Sequence, residues 1–512
     1  MAGPEDHTTA SDEAPNTLVA RRLGIDSQHE DVVFMRADCH ICRSEGFTAH
    51  SRIAVGFGRR TVIATLFQTT SDILAPGEAG LTDGACNRLG VGDGETVRLS
   101  HPPPLNSLRR VRGKVFGEFL DRTAAGEIID DIVARRYSDI YLSSFITACS
   151  ARPLNSGEMI ALTSAMVDAG QRLEWPHHPV ADKHCVGGLP GNRTTPIVVA
   201  IATACGLVMP KTSSRAITSP AGTADMMETL APVELGIDAM RDVVDCEGGC
   251  IVWGGAVRLS PADDLLIRVE RALDLDGEGQ LVASVLSKKM AAGSSHVVLD
   301  IPVGPTAKIR TDATAKALAA SLTSVADAFD ISTRIVISDG SQPVGRGIGP
   351  SLEAEDVLAV LQGQSDAPTD LRDRAISLAG SLLELAGGTI RGCGSVVAAE
   401  ALENGSAWAK FQRICEAQGG MRIPPRPSHE RPVPTQKPGR VAAIDSRRLA
   451  KVAKLAGAPN AKAAGLKLHV KLGDEVEENQ PLYTVCSESP GELSYAFEFV
   501  AKNDDIIETV EP

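Results

Sequence analysis

The sequence predicts an α/β plus α protein. A helical domain and an α/β domain lie around a cleft, with a β-rich N-terminal domain and a C-terminal α+β, barrel-sandwich-like domain. Three observations carry this reading. Short apolar runs separated by glycines fill the first hundred residues. The period then changes to that of amphipathic helices, and from Ala181 onward β-branched runs alternate with helical stripes and glycine-rich loops. A length of 512 residues, at roughly 150 per domain, leaves room for all of these units.

Residues 1–16 are polar and acidic and read as a flexible tail, not as a signal peptide. The β-rich domain, 17–100, rests on the runs Asp31–Met35, Ile53–Val55, Thr61–Phe67 and Thr96–Leu99, with Gly56, Gly58, Gly77, Gly90 and Gly92 between them. The helical domain takes 105–175 and about 261–292. Ile128, Ile129, Ile132 and Val133 form one stripe, and Ile140, Leu142, Phe145, Ile146 and Cys149 a second. Asn155 and Glu158 are spaced as the cap and third residue of another helix. The α/β domain, 181–260 and 293–422, contains the strand-length runs Val297–Ile301 and Thr333–Ile337. Six prolines crowd 423–440, which reads as an extended linker. The last domain, 441–512, contains Leu466–Leu472, a Gly473–Asp474 turn and Leu482–Val485.

Composition excludes several functions. Hydrophobic residues are 43% and charged residues 23%, ordinary values for a globular protein. Aromatic residues are 4%, too few for a platform that stacks single-stranded nucleic acid. The formal charge of −14 argues against nucleic acid and anionic membranes as partners. The longest apolar stretch, Pro196–Pro210, is broken by Thr203 and Gly206 and falls short of the ~20 residues a span needs. Eleven cysteines scattered through the chain read as reduced thiols in a cytoplasmic protein. Cys39/Cys42 and Cys246/Cys250 lack a second pair of ligands at close spacing, so no metal is expected.

The chemistry is concentrated in two segments. Asp182, Lys183, His184 and Cys185 lead into a loop containing Gly187, Gly188 and Gly191, and Thr195–Pro196 then opens a helix. A glycine loop feeding a helix N-terminus attracts an oxyanion, and Lys183 adds a full charge. After a short strand, Leu207–Lys211, six hydroxyl side chains and Arg215 fall within twelve residues, flanking Gly222–Thr223. Such density suits a sugar or a phosphate. Both segments emerge at the same edge of a parallel sheet.

These paired motifs resemble the thymidine/pyrimidine-nucleoside phosphorylase family, in the branch close to AMP phosphorylase. The likeness extends from about Gly113 to the C-terminus and includes Ser341–Gly347 and the pair Lys288–Lys289. The resemblance implies a pentosyltransferase: inorganic phosphate attacks C1′ of a pentose, the base departs, and a pentose 1-phosphate forms. It implies Lys183, Gly187, Gly188, Ser214, Arg215, Thr218, Ser219 and Thr223 as phosphate and sugar contacts. Ser284 and Lys288, one turn apart on a helix, match the base contacts of the pyrimidine enzymes, and Lys308 matches an AMP-binding lysine. The proton for the leaving base comes from His184 in the thymidine branch or from Asp276 in the AMP branch. No cofactor is implied, because phosphate is a co-substrate; a homodimer or larger homo-oligomer is. Cys185 departs from the family, where a serine contacts phosphate.

The leading expectation is a thymidine phosphorylase type of enzyme acting on a pyrimidine nucleoside. The alternative is the same chemistry on a nucleoside 5′-monophosphate, giving ribose 1,5-bisphosphate. A phosphoribosyltransferase of related fold would instead place Mg²⁺ at Asp263–Asp264, but the Asp-Lys-His motif favours phosphorolysis. The C-terminal unit is similar to carriers of biotin or lipoyl groups but lacks a Met-Lys dipeptide, so it reads as structural.

Overall fold

The computed structural model describes residues 16–511 apart from 29, 177, 192, 217, 218, 274 and 276. Contacts divide the chain into two units, Met1–Arg110 with Asp131–Ser144, and Val111–Asp130 with Phe145–Pro512.

In the first unit six strands close into a barrel in the order β1-β5-β2-β4-β3-β6. They are β1 (Thr17–Arg22), β2 (Val32–Arg36), β3 (Arg52–Phe57), β4 (Arg60–Thr69), β5 (Glu78–Leu81) and β6 (Thr96–Ser100). Alternation decides which side chains face inward: Leu18 and Ala20 on β1, Val97 and Leu99 on β6, all buried in one core. β1 and β5 were not legible as strands. β5 is short and contains Gly80, where an added Cβ would sit 2.6 Å from a Leu23 methyl, so close packing replaces the usual β-branched pattern. Closure leaves no free edge in the barrel.

The second unit is built on parallel strands β7 (Ala181–Cys185), β8 (Met209–Ser213), β9 (Gly249–Trp253), β10 (His296–Val303) and β11 (Ser332–Asp339). β11, β10 and β7 pair in that order, β8 pairs with β9, and a parallel bridge from Val180 to Val208 joins the two sets. The helix Thr194–Ala204 crosses from β7 to β8 with Thr194–Thr203 all buried, within an extensive apolar cluster. A helix apolar all round belongs in a core. The helix at Ser156–Asp168 has the expected capping box: the Glu158 amide donates to Asn155 Oδ1 (3.1 Å) and the Asn155 amide to Glu158 Oε2 (3.0 Å).

Two antiparallel sheets complete this unit. One has the order β12-β15-β17-β13, from Gly347–Ile348, Gly465–Leu468, Pro481–Ser487 and His429–Pro434 respectively; the other has β16-β14-β18, from Glu475–Val476, Gly439–Ile444 and Ile507–Val510. Part of the proline-rich stretch is thus a strand. Pro432 and Pro434 are tolerated there because β13 is an edge strand, where a missing N–H costs no ladder bond. The Ser341–Gly347 segment runs straight into β12 and is held from two sides. Lys471 Nζ donates to the carbonyls of Pro343 (2.9 Å) and Gly345 (2.7 Å), and Asp356 Oδ2 accepts from the amides of Arg346 (2.6 Å) and Gly347 (2.7 Å).

None of the eleven cysteines forms a disulfide. Among the described residues no helix is long and apolar enough to cross a membrane.

Candidate active site

The order β11-β10-β7-β8-β9 places a switch point between β7 and β10, because the crossover after β7 runs to one side and that after β10 to the other. Loops diverge there at the carboxyl edge and leave a crevice. The loop after β7 carries Gly187 at φ +118° and Gly188 at φ +89°, conformations that favour glycine. Across the crevice the loop after β10 carries Lys308, whose Cδ lies 3.8 Å from where a Cβ on Gly187 would sit. Lys308 and the glycine loop are therefore neighbours.

Lys183 is completely buried. Its ammonium donates to Thr194 Oγ1 at 2.7 Å, the Gly191 carbonyl at 3.3 Å and Thr195 Oγ1 at 3.5 Å. All three acceptors are neutral, and no carboxylate among the described residues pairs with it. A threonine before Pro196 is expected to cap the helix, but Thr195 does not. The helix begins at Thr194, with Arg193 at its cap position, and the two threonine hydroxyls face the ammonium instead.

The second cluster lies between β8 and the helix Thr223–Glu228. Ser214 is exposed, and the Ser219 hydroxyl donates to the Ala221 carbonyl at 2.8 Å. Arg215, expected among the phosphate contacts, is committed elsewhere. Its guanidinium donates to Glu228 (2.8 and 2.9 Å), Glu234 (2.8 Å) and Asp225 (3.2 Å) and lies 4.9 Å from the Trp253 ring centroid. Three carboxylates take four bonds from its two terminal nitrogens, so it ties the loop to the following helix. Asp225 completes that tie by accepting from the amides of Ala216 (2.6 Å) and Gly222 (3.0 Å). Gly222 is required by close approach: a Cβ there would lie 2.5 Å from the Ser214 carbonyl oxygen.

Ser284 and Lys288 share a face of the helix Glu278–Ala291, with Lys288 Nζ 3.4 Å from Ser284 Oγ. Lys288 is also ion-paired with buried Asp263 at 2.5 Å, so that aspartate holds the lysine beside the serine. His184, half-buried at the end of β7, is held well below the usual histidine range. Burial is the main cause, followed by the cations of Lys289, Lys211, Lys288 and Lys183. Burial, reinforced by the Asp300 carboxylate, pushes the Cys185 thiol up to about 12, so it is a protonated thiol at neutral pH. Gly191 packs against it, since a Cβ at 191 would overlap Cys185 Sγ and come within 3.1 Å of Asp300 Oδ2.

Asp276 and Thr218 lie outside the described residues. The structure gives roles to residues that the motif reading named without one or passed over. Asp182 is an ion-pair hub under the loop, meeting Lys289 at 2.5 Å and Lys211 at 3.1 Å. Arg193, 1% exposed, bonds the Leu189 and Val344 carbonyls and pairs with Glu353 at 3.3 Å, which fixes the end of the glycine loop. A lysine inside the apolar strand Leu207–Lys211 was the one available signal for Lys211.

Fold and site define a protein with a glycine-rich loop beside a buried lysine at the carboxyl edge of a parallel sheet. Known proteins make that class specific. Residues 177–408 match the family described as "Glycosyl transferase family, a/b domain". Residues 108–170 match "Glycosyl transferase family, helical bundle domain", and 440–506 match "Pyrimidine nucleoside phosphorylase C-terminal domain". A protein of Sphingopyxis alaskensis named "Putative thymidine phosphorylase" is 58% identical over 506 residues, 99% of this chain and 98% of that one. A relative of the same name from Chelativorans sp. is 57% identical over 500 residues, 98% of each chain, and one from Legionella pneumophila 55% over 497, 97% of this chain and 96% of that one. The chain belongs to the thymidine/pyrimidine nucleoside phosphorylase family. Among solved structures, anthranilate phosphoribosyltransferase from Thermus thermophilus superposes with a TM-score of 0.50 at 20% identity, covering 60% of this chain and 99% of that one. That likeness concerns the fold.

Proposed function

We propose that this chain is a pentosyltransferase of the thymidine phosphorylase type, converting thymidine and phosphate into thymine and 2-deoxyribose 1-phosphate. The observation that carries the reading is Lys183, a fully buried ammonium with only neutral partners, beside two positive-φ glycines at the sheet's switch point. A buried cation without a counter-ion is costly unless an anion arrives to complete it. Full-length relatives named for thymidine phosphorolysis supply the substrate.

In this reading Lys183, the backbone of Gly187 and Gly188, Ser214, Ser219 and Thr223 hold phosphate and the sugar face. Fixing phosphate against C1′ replaces a bimolecular encounter with an oriented attack. The C1′–N bond breaks as the phosphate oxygen bonds to C1′, with positive charge developing on the sugar and negative charge on the base. Ser284 and Lys288 meet the base, with Asp263 orienting the lysine. Neutral His184 donates a hydrogen bond to the departing base, and the proton that HPO₄²⁻ gives up on becoming the sugar phosphate ends on that base, so that thymine leaves neutral. Arg215 positions the hydroxyl-rich loop. The helical portion and the α/β portion flank the cleft and close on substrate, excluding water. The enzyme acts in the cytoplasm as a homodimer or larger homo-oligomer and uses no cofactor beyond its phosphate co-substrate.

The test is a phosphate-dependent release of free base from thymidine, uridine, AMP and CMP, run side by side. Turnover of thymidine is expected. Turnover confined to the 5′-monophosphates would replace this reading with an AMP phosphorylase type, in which Lys308 meets the nucleotide.

A further inference from the structure

The glycine loop and the hydroxyl-rich loop are both held from behind by one part of the chain, the segment 440–506 that matches the pyrimidine nucleoside phosphorylase C-terminal domain. Leu189 stands between Gly188 and Pro190 in the glycine loop and is 4% exposed. It is buried in the same apolar cluster as Leu466 and Leu468 of β15 and Tyr483 and Val485 of β17. Apart from Leu189 and Ile348, the buried members of that cluster among the described residues all come from 441–507. The glycine loop is thus seated in a core that another part of the chain builds, and not in the core around the helix Thr194–Ala204 that follows it.

A charge from the same segment reaches the hydroxyl-rich loop. Lys462, between the helix Ser446–Leu455 and β15, places Nζ 2.8 Å from Glu228 Oε2 and 3.7 Å from Asp225 Oδ1. These are two of the three carboxylates that hold Arg215, and Asp225 also accepts the Ala216 and Gly222 amides within the loop. Without Lys462, Arg215 alone would face Asp225, Glu228 and Glu234. Arg215, and after it Lys462, hold the Glu228 carboxyl down to about 2 against the opposing effect of burial. The Lys462 carbonyl accepts from the buried Ser351 amide at 3.0 Å, which fixes the backbone of the lysine to the helix Pro350–Leu361. Lys471, also in this segment, bonds the carbonyls on either side of Val344, whose own carbonyl accepts from Arg193 at the end of the glycine loop.

We propose that the C-terminal segment is a working part of the phosphate site, with Leu189 and Lys462 as the positioning residues through which it acts. Neither is a ligand of the anion. Leu189 fixes the backbone of Gly187 and Gly188 by anchoring the residue that follows them. Lys462 steadies the Asp225–Glu228 end of the loop that bears Ser214, Ser219 and Thr223. A cradle of backbone N–H groups and hydroxyls binds an oxyanion tightly only when those donors are already in place, because ordering them on binding subtracts from affinity. The segment therefore sets the affinity for phosphate and leaves Ser284 and Lys288, on the helix Glu278–Ala291, to meet the base as before. This inference rests on the phosphorolytic reading for the identity of the anion, and one arm of its test does not depend on turnover.

The experiment measures the stabilisation of the full-length protein by inorganic phosphate in thermal melts, together with the KM values for phosphate and thymidine. In K462M the phosphate affinity falls about threefold, the scale of a part-exposed ion pair, and K462R restores it. In L189A it falls about tenfold as the loop loses its buried anchor, and L189M, of similar volume, restores most of it. In K462M and L189A the KM for phosphate rises in step while the KM for thymidine stays. A residue that merely stabilised the fold would lower the melting temperature and leave the phosphate affinity unchanged. L189V takes the place of L189A if that variant does not fold. Wild-type phosphate affinity in either K462M or L189A would overturn the proposal, as would K462R and L189M as defective as K462M and L189A, or a wild type that phosphate does not stabilise. If thymidine, uridine, AMP and CMP all fail to turn over while the melts follow the expected pattern, the enzymatic reading falls and the positioning role stands.

Discussion

Replacing Lys183 with methionine separates what the site does for function from what it does for stability. The ammonium is fully buried and bonded only to two hydroxyls and one carbonyl. Desolvating it costs several kcal/mol, and three hydrogen bonds to neutral acceptors return ~1 kcal/mol each. Without anion, Lys183 is therefore a net burden of about 2 kcal/mol. Removing it leaves Thr194 Oγ1 donating to the Gly191 carbonyl at 2.8 Å, and only the longest of the three contacts, at Thr195 Oγ1, leaves a hydroxyl without its partner. In a unit of this size such a gain raises the melting temperature by about 3 °C. Phosphate reverses the order. At a hundred times its Kd it stabilises the wild type by about 2.7 kcal/mol. Loss of a charge-assisted contact worth about 3 kcal/mol weakens K183M roughly a hundredfold and leaves it about 0.4 kcal/mol of stabilisation at the same concentration. Differential scanning calorimetry with and without phosphate reads both effects. K183M should melt higher than the wild type in phosphate-free buffer and gain almost nothing when phosphate is added. A variant that melts lower without phosphate, and keeps the wild-type shift with it, refutes the reasoning.

Three further outcomes follow from the same geometry. G222A pushes a methyl to 2.5 Å from the Ser214 carbonyl oxygen. It should cost about 1–3 kcal/mol by denaturant unfolding and raise the KM for phosphate as the loop shifts; an unchanged KM would remove that loop from the site. His184 is depressed in the folded state, so the unfolded chain binds its proton first. The stability tied to its neutral form is present above about pH 6.5 and is lost as the pH falls below that. H184N should therefore show a smaller loss of melting temperature on acidification than the wild type; parallel curves would contradict it. Arg215 holds the Glu228 carboxyl down to about 2, and that stabilisation is present above the ordinary glutamate range and lost as the pH falls toward 2. R215A should flatten acid unfolding across this interval, and an identical acid limb in both proteins counts against the ion-pair hub.

The glycine loop, Lys183 and the hydroxyl-rich segment were legible because their chemistry is local. Gly187 and Gly188 announce a backbone conformation, and Asn155 with Glu158 announce a cap, within a few residues. Long-range partners were not legible. Arg215 looked like a ligand for phosphate because arginine beside serines suits an oxyanion, yet Glu228 and Glu234, thirteen and nineteen residues on, claim its donors. Pro432 and Pro434 looked like linker because nothing local told that Pro481–Ser487 would pair with them at an edge. Strand β5 carried too little side chain to show a period.

By itself the sequence determined that a parallel-sheet core carries a glycine-rich loop, that helices and small β units accompany it, and that the chemistry is phosphorolytic in kind. Tertiary structure alone decided the charge account of the site. Asp182, Lys211 and Lys289 come from two strands and one helix up to 107 positions apart, and only their packing makes one carboxylate answer for two buried ammoniums. The physical reason is reach. Backbone conformation is written in neighbouring residues, whereas the cost of a buried charge depends on everything that surrounds it in space.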